Sequence, residues 1–193
     1  MCDMKYPNWF KQTAKHNFEE FLIPLAGQEN LRFLQLGAYT GDASLWMCKK
    51  VLTGKDSHLI DVDTWEGSDE EAHKSIDFDD VFKVYKEKIK SLPVMPMKMT
   101  TTKYLMRTGN VVQNVYHFIY IDADHTTVGV LMDAELSWPL LKSGGIMAFD
   151  DYTWGAEMPP HLTPALGIDL FLERHDGEYE TLVVNQQVWI RKK

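Results

Sequence analysis

Short apolar runs alternate along the chain with longer segments in which apolar residues recur at helical spacing. The runs predict five strands, at residues 31–36, 58–62, 94–99, 116–121 and 145–149. Helical spacing is clearest in the segments that begin after Thr40 and after Thr126. This alternation is typical of βαβ units, in which helices cover both faces of a parallel sheet. We therefore predict an α/β fold.

The C-terminal part of the chain breaks this alternation. A helix is predicted to begin at Pro164, and the runs YETLVV and QVWIRK then flank Asn185 and Gln186. Two strand-like runs joined by a short polar connection are typical of an antiparallel hairpin. We expect a mixed sheet with this hairpin at its edge.

The length of 193 residues predicts one domain, with residues 1–30 as an N-terminal helical segment and 31–193 as the core. The acidic segment from Glu66 to Asp80 is the least structured stretch. We interpret it as a solvated loop, and a mobile lid over a site is the alternative.

Charge and composition narrow the class of partner. The chain has 20 basic and 28 acidic residues, a net charge of -8 and no basic cluster, which argues against nucleic acid. The start of the chain carries acids and has no apolar h-region, and no later run approaches 18 apolar residues, which argues against a signal peptide and a membrane span. Only Cys2 and Cys48 are present, which favours a reducing, cytoplasmic location.

Two glycines, Gly37 and Gly41, lie between the first predicted strand and the helix that follows it. Nucleotides bind at this turn of a parallel sheet, because glycine allows close approach of a ligand and the helix N-terminus offers free N–H groups. The G-x-x-x-G spacing differs from the dinucleotide-binding G-x-G-x-x-G, which disfavours a nicotinamide-dependent oxidoreductase. A glycine turn without function remains an alternative.

The second strand leads into Asp63, Thr64 and Trp65. A carboxylate at this strand end commonly holds the ribose of adenosine cofactors, where it accepts two hydroxyl hydrogen bonds, and an indole beside it could pack on the base. The alternative is an exposed turn aspartate beside a core tryptophan.

Acidic side chains follow the fourth and fifth strands. Asp122 and His125 come after residue 121, and Asp150 and Asp151 come after residue 149. Adjacent strand ends are about 5 Å apart, so these carboxylates should converge and require a cation. An oxygen-rich set without cysteine favours magnesium, manganese or calcium over zinc. Helix caps and turn formers are the alternative interpretation.

Residues 33–41, FLQLGAYTG, and the block from Phe118 to Tyr152 resemble class I S-adenosylmethionine-dependent methyltransferases. The resemblance is to a small-molecule O-methyltransferase branch, macrocin-type or methyltransferase family 24-like, with catechol and caffeoyl-coenzyme A O-methyltransferases more distant. It implies a Rossmann-like, seven-stranded mixed sheet of order 3-2-1-4-5-7-6, with helices on both faces and strand 7 antiparallel.

The resemblance also implies roles for individual residues. The cofactor would contact Gln35, Gly37, Ala38, Tyr39, Thr40, Gly41, Asp63, Thr64, Trp65 and Asp122. Asp122, Asp150 and Asp151 would hold a divalent cation, most simply Mg²⁺, and His125 would act as the base beside a catalytic Asp122. Gln35 stands where the family usually has an acid, so a contact to the cofactor's amino group loses its charge.

The sequence thus predicts methyl transfer from S-adenosylmethionine to an oxygen of a small polyhydroxylated or sugar-containing acceptor, assisted by a divalent cation. Two alternatives remain: a metal-independent methyltransferase of the same fold, and a non-catalytic S-adenosylmethionine-binding protein. The sequence does not fix the oligomeric state, and a homodimer is compatible with it.

Overall fold

The structure, a computed structural model, describes residues 5–67 and 74–193. Cys2 and residues 68–73 of the predicted acidic loop lie outside these residues. No helix in the described part of the chain is long and apolar enough to cross a bilayer.

Within the described residues, seven strands form one sheet in the order β3-β2-β1-β4-β5-β7-β6. The strands are β1 Arg32–Leu36, β2 His58–Asp63, β3 Val94–Lys98, β4 Tyr116–Ile121, β5 Leu141–Phe149, β6 Tyr179–Val184 and β7 Val188–Lys192. The pairs formed among β1 to β5 are parallel, whereas β7 pairs antiparallel with both β5 and β6. The predicted class, strand order and hairpin are therefore confirmed.

Helices connect the strands and cover the sheet. They are α1 Lys15–Leu22, α2 Asp42–Lys50, α3 Phe78–Ile89, α4 Thr101–Gly109, α5 Thr127–Ser137 and α6 Pro164–Arg174. Polar N-cap side chains begin three of them: Asp77 accepts from the Asp80 N–H, Thr100 from the Lys103 N–H and Thr126 from the Gly129 N–H. Helix α6 begins at the predicted proline, whose missing N–H costs nothing in a first turn.

Strand β5 begins earlier than predicted, at Leu141 instead of residue 145. Gly144 and Gly145 form part of a bulge inside the strand. Tyr116 pairs with Leu141 and Phe118 pairs with Ile146, so residues 142–145 bulge out of the ladder. Gly144, at a φ of 77°, supplies the left-handed backbone that this bulge uses.

Alternate residues of the central strands pack against opposite layers of helices. On one face Leu34 and Ile119 lie with Ile168 and Phe171 of α6. On the other face Phe33 and Phe118 lie with residues of α1 and α2, as set by the strand period of two.

The N-terminal helix is anchored to the sheet by Phe18, which is fully buried. Its ring makes edge-to-face contacts with five aromatic rings, those of Phe10, Trp46, Phe118, Tyr120 and Trp189, at centroid distances of 4.9 to 5.8 Å. Such contacts add to the area that the ring buries. Phe18 therefore joins the N-terminal segment to both the sheet and the C-terminal hairpin.

We expect Phe18→Ala to lower the free energy of unfolding by about 3–5 kcal/mol, because it removes a large buried ring and leaves a cavity. Urea unfolding of the whole chain measures this change. The control is Met106→Ala, at a side chain that is 58% exposed, which should change stability by no more than about 0.5 kcal/mol. A loss below about 1 kcal/mol for Phe18→Ala would contradict the packing described here.

Candidate active site

The turn between β1 and α2 presses directly against the end of β4. Gly37 has a φ of +85°, and a Cβ on it would lie 1.8 Å from the carbonyl oxygen of Asp122. The Asp122 N–H in turn donates to the carbonyl of Leu36 at 2.8 Å. Only glycine fits this contact. The contact therefore brings the predicted cofactor turn next to the predicted acidic cluster.

Asp63 holds the same turn from the neighbouring strand. Its Oδ2 accepts from the N–H groups of Ala38 and Tyr39 at 2.8 and 2.9 Å, and its Oδ1 accepts from the N–H of Trp65 at 2.7 Å. A carboxylate has about four acceptor sites, so about one remains. Asp63 can therefore accept about one hydrogen bond from a ribose, where the sequence predicts two.

The Trp65 side chain belongs to the core and not to an open surface. It is 2% exposed, and its ring lies 4.6 Å from the rings of both Phe82 and Tyr85. Its indole N–H donates to the Tyr39 carbonyl at 2.9 Å. Trp65 is therefore the core tryptophan of the alternative interpretation. The prediction that its indole packs on a base is corrected, because the ring is buried among core residues.

The threonines of the two turns make local contacts. The Thr40 hydroxyl donates to Asp42 at 2.8 Å, and the hydroxyl oxygen of Thr64 accepts from the Glu66 N–H at 3.3 Å. Lys88 pairs with the other oxygen of Asp42 at 2.7 Å. The contacts of Asp42 with Thr40 and Lys88 fix the first residue of α2, directly after Gly41.

Gln35 does not face an open site, because it is 2% exposed. Its amide Nε2 donates to the Gly37 carbonyl at 2.8 Å and so supports the turn from below. Its strand partner in register is Asp61, which is fully buried. The acid that the sequence lacks on β1 is thus present at the paired position on β2.

Asp61 accepts two hydroxyl hydrogen bonds, from Ser44 at 2.7 Å and from Tyr85 at 2.8 Å. Burial, with a further contribution from the charge of Asp63, raises the pKa of Asp61 to about 7 although both hydroxyls oppose the shift. The residues predicted from the sequence include neither Asp61 nor Ser44. The signal that could have found this pair is the register of Gln35 with Asp61.

Three predicted groups converge at the carboxyl edge of the sheet. Ligand atoms of Asp122, His125 and Asp151 all lie within 4.8 Å of one another. His125 Nε2 is 3.1 Å from Asp151 Oδ2 and 3.9 Å from Asp122 Oδ1. The Trp154 ring lies 5.2 Å from the imidazole and forms one wall of this cluster.

Asp150 is the predicted ligand that the structure does not bring into this group. Its carboxylate accepts from the Tyr120 hydroxyl, from the Gln187 amide at 3.1 Å and from the Asp151 N–H at 2.9 Å. Gln187 is itself held by Asn17 of α1 at 2.8 Å. The Asp150 carboxylate thus faces a buried polar network and is not among the three groups that converge, and its role as a ligand stays a prediction.

The carboxylates at this edge destabilise one another's charged form. Burial and the charges of Asp150 and Asp151 raise the pKa of Asp122 well above its usual range, although His125 opposes the shift. Burial and Asp151 raise the pKa of Asp150 to about 6. A bound cation would relieve this repulsion, and carboxylate oxygens such as those of Asp122 and Asp151 are ligands that hard divalent cations accept.

Aromatic residues of the N-terminal segment cover the turn after β1. The Trp9 and Tyr6 rings lie 4.8 and 6.2 Å from the Tyr39 ring, and the Tyr6 hydroxyl donates to Asp80 at 2.7 Å. Burial raises the pKa of Tyr39 to about 12. The Tyr39 hydroxyl is buried and has no hydrogen-bond partner among the described residues. A ligand acceptor atom would satisfy it.

Comparison with known proteins identifies the family. The model of a methyltransferase domain family matches residues 34–152. This match spans more than half of the chain, so the chain belongs to that family. The predicted resemblance to class I S-adenosylmethionine-dependent methyltransferases is confirmed at the level of family and fold. A sequence search of curated proteins found no match.

Solved structures share the fold at low sequence identity. An O-methyltransferase from Bacillus cereus in complex with SAH is 13% identical, with a TM-score of 0.64 over 99% of this chain and 94% of that chain. A candidate rRNA methylase from Clostridium thermocellum is 13% identical, with a TM-score of 0.66 over 93% and 96%. The MycE methyltransferase of mycinamycin biosynthesis, in complex with Mg, SAH and mycinamycin VI, is 15% identical, with a TM-score of 0.59 over 98% of this chain and 50% of that chain.

The raised pKa of Asp61 predicts a pH dependence of stability. Between about pH 4 and pH 7 the folded chain retains a proton that the unfolded chain releases, so this contribution to stability falls as pH rises and is lost above about pH 7. We expect Asp61→Asn to make the decline in the free energy of unfolding between about pH 4 and pH 7 shallower, as measured by urea unfolding. The control Asp176→Asn, at an exposed position, should keep the native profile. An unchanged decline in Asp61→Asn would contradict the assignment.

Proposed function

We propose that the chain transfers a methyl group from S-adenosylmethionine to a hydroxyl oxygen of a small acceptor, at a divalent cation held by Asp122 and Asp151. The observation that carries this proposal is the convergence of Asp122, His125 and Asp151 beside the turn from Gly37 to Gly41. This proposal is supported by the position of an imidazole, two carboxylates and the turn after β1 at one edge of the sheet.

The residues present fit the cofactor. Helix α2 begins after Gly41 without a side-chain cap, so N–H groups of its first turn are available to the carboxylate of the methionine end. The Tyr39 hydroxyl offers a buried donor, and Asp63 keeps about one acceptor site for a ribose hydroxyl. Ala38, Thr40 and Thr64 would contact the cofactor through the same two turns. When bound, S-adenosylmethionine supplies an electrophilic methyl group.

Gln35 and Trp65 take indirect roles in this proposal. The Gln35 amide supports the Gly37 carbonyl and the Trp65 indole supports the Tyr39 carbonyl. Both act on the shape of the cofactor turn without touching the cofactor through their side chains. The missing charge at Gln35 therefore does not argue against cofactor binding.

The two carboxylates fit a hard divalent cation such as Mg²⁺. Asp122 and Asp151 are both part-exposed, with side chains 31% and 30% accessible, so water and an acceptor can complete the coordination. A bound cation would lower the pKa of an acceptor hydroxyl. Asp150 acts as a positioning residue, because its carboxylate accepts from the Asp151 N–H and fixes the backbone at that ligand.

His125 is the proposed proton acceptor. Its imidazole lies between Asp122 and Asp151 and against the Trp154 ring, so Nε2 is held toward the cluster. The Nε2 atom would take the proton of the acceptor hydroxyl as the oxygen attacks the methyl carbon. Trp154 would exclude water from one side of the acceptor.

The nature of the acceptor follows from this site and from the surface charge. Hydroxyl groups are the ligands that a carboxylate-bound cation shares readily, which favours a polyhydroxylated or sugar-containing molecule. The net charge of -8 disfavours nucleic acid. We also propose that the chain acts as one domain in the cytoplasm, and a homodimer remains compatible with this account.

One contact favours a second candidate, a metal-independent methyltransferase. The distance of 3.1 Å from His125 Nε2 to Asp151 Oδ2 is that of a hydrogen-bonded pair, in which the carboxylate would stabilise the protonated imidazole directly. Metal binding and its effect on methyl transfer distinguish the two candidates. Cofactor binding without turnover on any acceptor would instead favour a non-catalytic binding protein.

We expect Mn²⁺ to bind the chain and Asp151→Asn to weaken this binding by about tenfold or more, because a charged ligand is lost. Electron paramagnetic resonance of free Mn²⁺ measures the affinity without an acceptor. Asp124→Asn is the matched control, because Asp124 is exposed, accepts from the Thr126 N–H and is not part of the cluster. Equal affinities in the native chain and in Asp151→Asn would contradict the metal site and favour the metal-independent candidate.

We expect His125→Gln to lower kcat by about 10²- to 10⁴-fold while leaving the affinity for S-adenosylhomocysteine unchanged, because the base is lost and the cofactor turn is not. Transfer of a labelled methyl group to a panel of sugar hydroxyl acceptors measures the rate, and calorimetry measures the affinity. The control His161→Gln, at an exposed position, should keep full activity. Full activity in His125→Gln would show that His125 is not the base.

A further inference from the structure

A second cavity lies at the amino edge of the sheet, opposite the proposed active site. We name it the amino-edge cavity; its volume is about 220 Å³, and its wall includes Gln28, His117, Lys142, Ser143, Gly145 and Arg191. His117 is the second residue of β4, whereas Asp122 follows the last residue of that strand. Five residues of extended chain separate them by about 16 Å. The cavity is therefore distinct from the site described above.

The bulge in β5 shapes this cavity. Residues 142–145 leave the ladder between the pairs Tyr116–Leu141 and Phe118–Ile146, so they lie opposite His117 without a strand partner. The excursion brings Lys142 Nζ to 2.9 Å from His117 Nε2. A bulge often re-aims a side chain in this way.

The contact between Lys142 and His117 joins two donors. The N–H of Arg32 donates to His117 Nδ1 at 3.0 Å, so Nδ1 is an acceptor and carries no proton. Burial, together with the charges of Lys142 and Arg32, lowers the pKa of His117, so the imidazole is neutral near pH 7. A neutral imidazole keeps one proton, which must then be on Nε2. The His117 Nε2–H and the Lys142 ammonium are therefore two hydrogen-bond donors in contact, with no acceptor between them.

The surroundings of this pair are cationic although the chain is acidic overall. Among the described residues, the wall of the cavity contains the cationic Lys142 and Arg191 and no aspartate or glutamate. Within residues 5–67 and 74–193, no carboxylate forms an ion pair with Lys142. Arg191 has one, with the exposed Glu180 at 3.4 Å. The described wall therefore offers no carboxylate acceptor to the His117 and Lys142 donors or to Arg191.

Part of the wall is apolar. Phe21 and Leu25 from the N-terminal segment, Leu31 just before β1 and Ile146 of β5 line the same cavity. A bare inorganic ion would leave this part of the cavity unfilled. An anion with a short apolar body would contact both parts.

We propose that the amino-edge cavity binds a small organic oxyanion, with its anionic head between His117 and Lys142 and its apolar body against Phe21, Leu25 and Ile146. One oxyanion accepts from the His117 Nε2–H and from the Lys142 ammonium, which replaces the contact between two donors with two charge-assisted hydrogen bonds. Carboxylates and phosphate esters share this head chemistry.

The test uses the whole chain labelled with ¹⁵N in histidine. Long-range ¹H–¹⁵N spectra report the tautomer of His117, and titrations with hexanoate, 1-hexanol and inorganic phosphate report binding through the same resonances. We expect the Nε2–H tautomer without ligand and a saturable shift with hexanoate. We expect no saturation with 1-hexanol and weaker binding of phosphate, because each lacks one half of the proposed ligand.

Variants connect the binding to the named residues. We expect Lys142→Gln to weaken hexanoate binding by about tenfold, and Lys142→Arg to restore it to within a few-fold of the native chain. The control is Lys90→Gln, at a side chain that is 72% exposed and far from the cavity wall, which should not change the affinity.

Three results would overturn the proposal. An Nδ1–H tautomer of His117 would remove the contact between two donors. Equal hexanoate affinity in Lys142→Gln and in the native chain would show that Lys142 does not bind the anionic head. Phosphate binding as tight as hexanoate would show recognition of the head alone, so the ligand would not be an organic anion.

Discussion

The close contact of Gly37 with the carbonyl of Asp122 is the constraint on which the rest of the structure depends. A Cβ at residue 37 would overlap that carbonyl at 1.8 Å, so the ends of β1 and β4 meet only because residue 37 is glycine. Asp63 then fixes the turn through the N–H groups of Ala38 and Tyr39. A cofactor turn and a group of titratable side chains are adjacent because of these backbone contacts.

Buried polar groups below the site connect it to distant parts of the chain. Asn17 in α1 donates to Gln187 near the hairpin, and the Gln187 amide donates to Asp150 at the end of β5. Unpaired, these groups would cost about 1–3 kcal/mol each, so the network favours a single arrangement. The N-terminal helix thereby contributes to the geometry of the active site without contacting it.

The sequence predicts the strand order through the family resemblance, and the periodic pattern predicts the strands themselves. It also predicts that Asp122, His125 and Asp151 converge, because parallel strands end at the same edge. It does not distinguish Asp150 from Asp151, since adjacent residues point to opposite sides and periodicity does not decide which faces the interior. The family's usual acid is absent at Gln35, and an acid stands instead at Asp61, the residue paired with Gln35. This relation depends on the register between two strands, which the pattern of one strand does not give.

The central claim is that the turn from Gly37 to Gly41 binds an adenosyl cofactor. Calorimetric titration of S-adenosylhomocysteine into the whole chain tests this claim most directly, because it needs no acceptor. The account predicts saturable binding at about micromolar Kd, weakened by Tyr39→Phe through the loss of the buried hydroxyl donor. An absence of binding at millimolar ligand would contradict the claim and leave only the fold in common with methyltransferases.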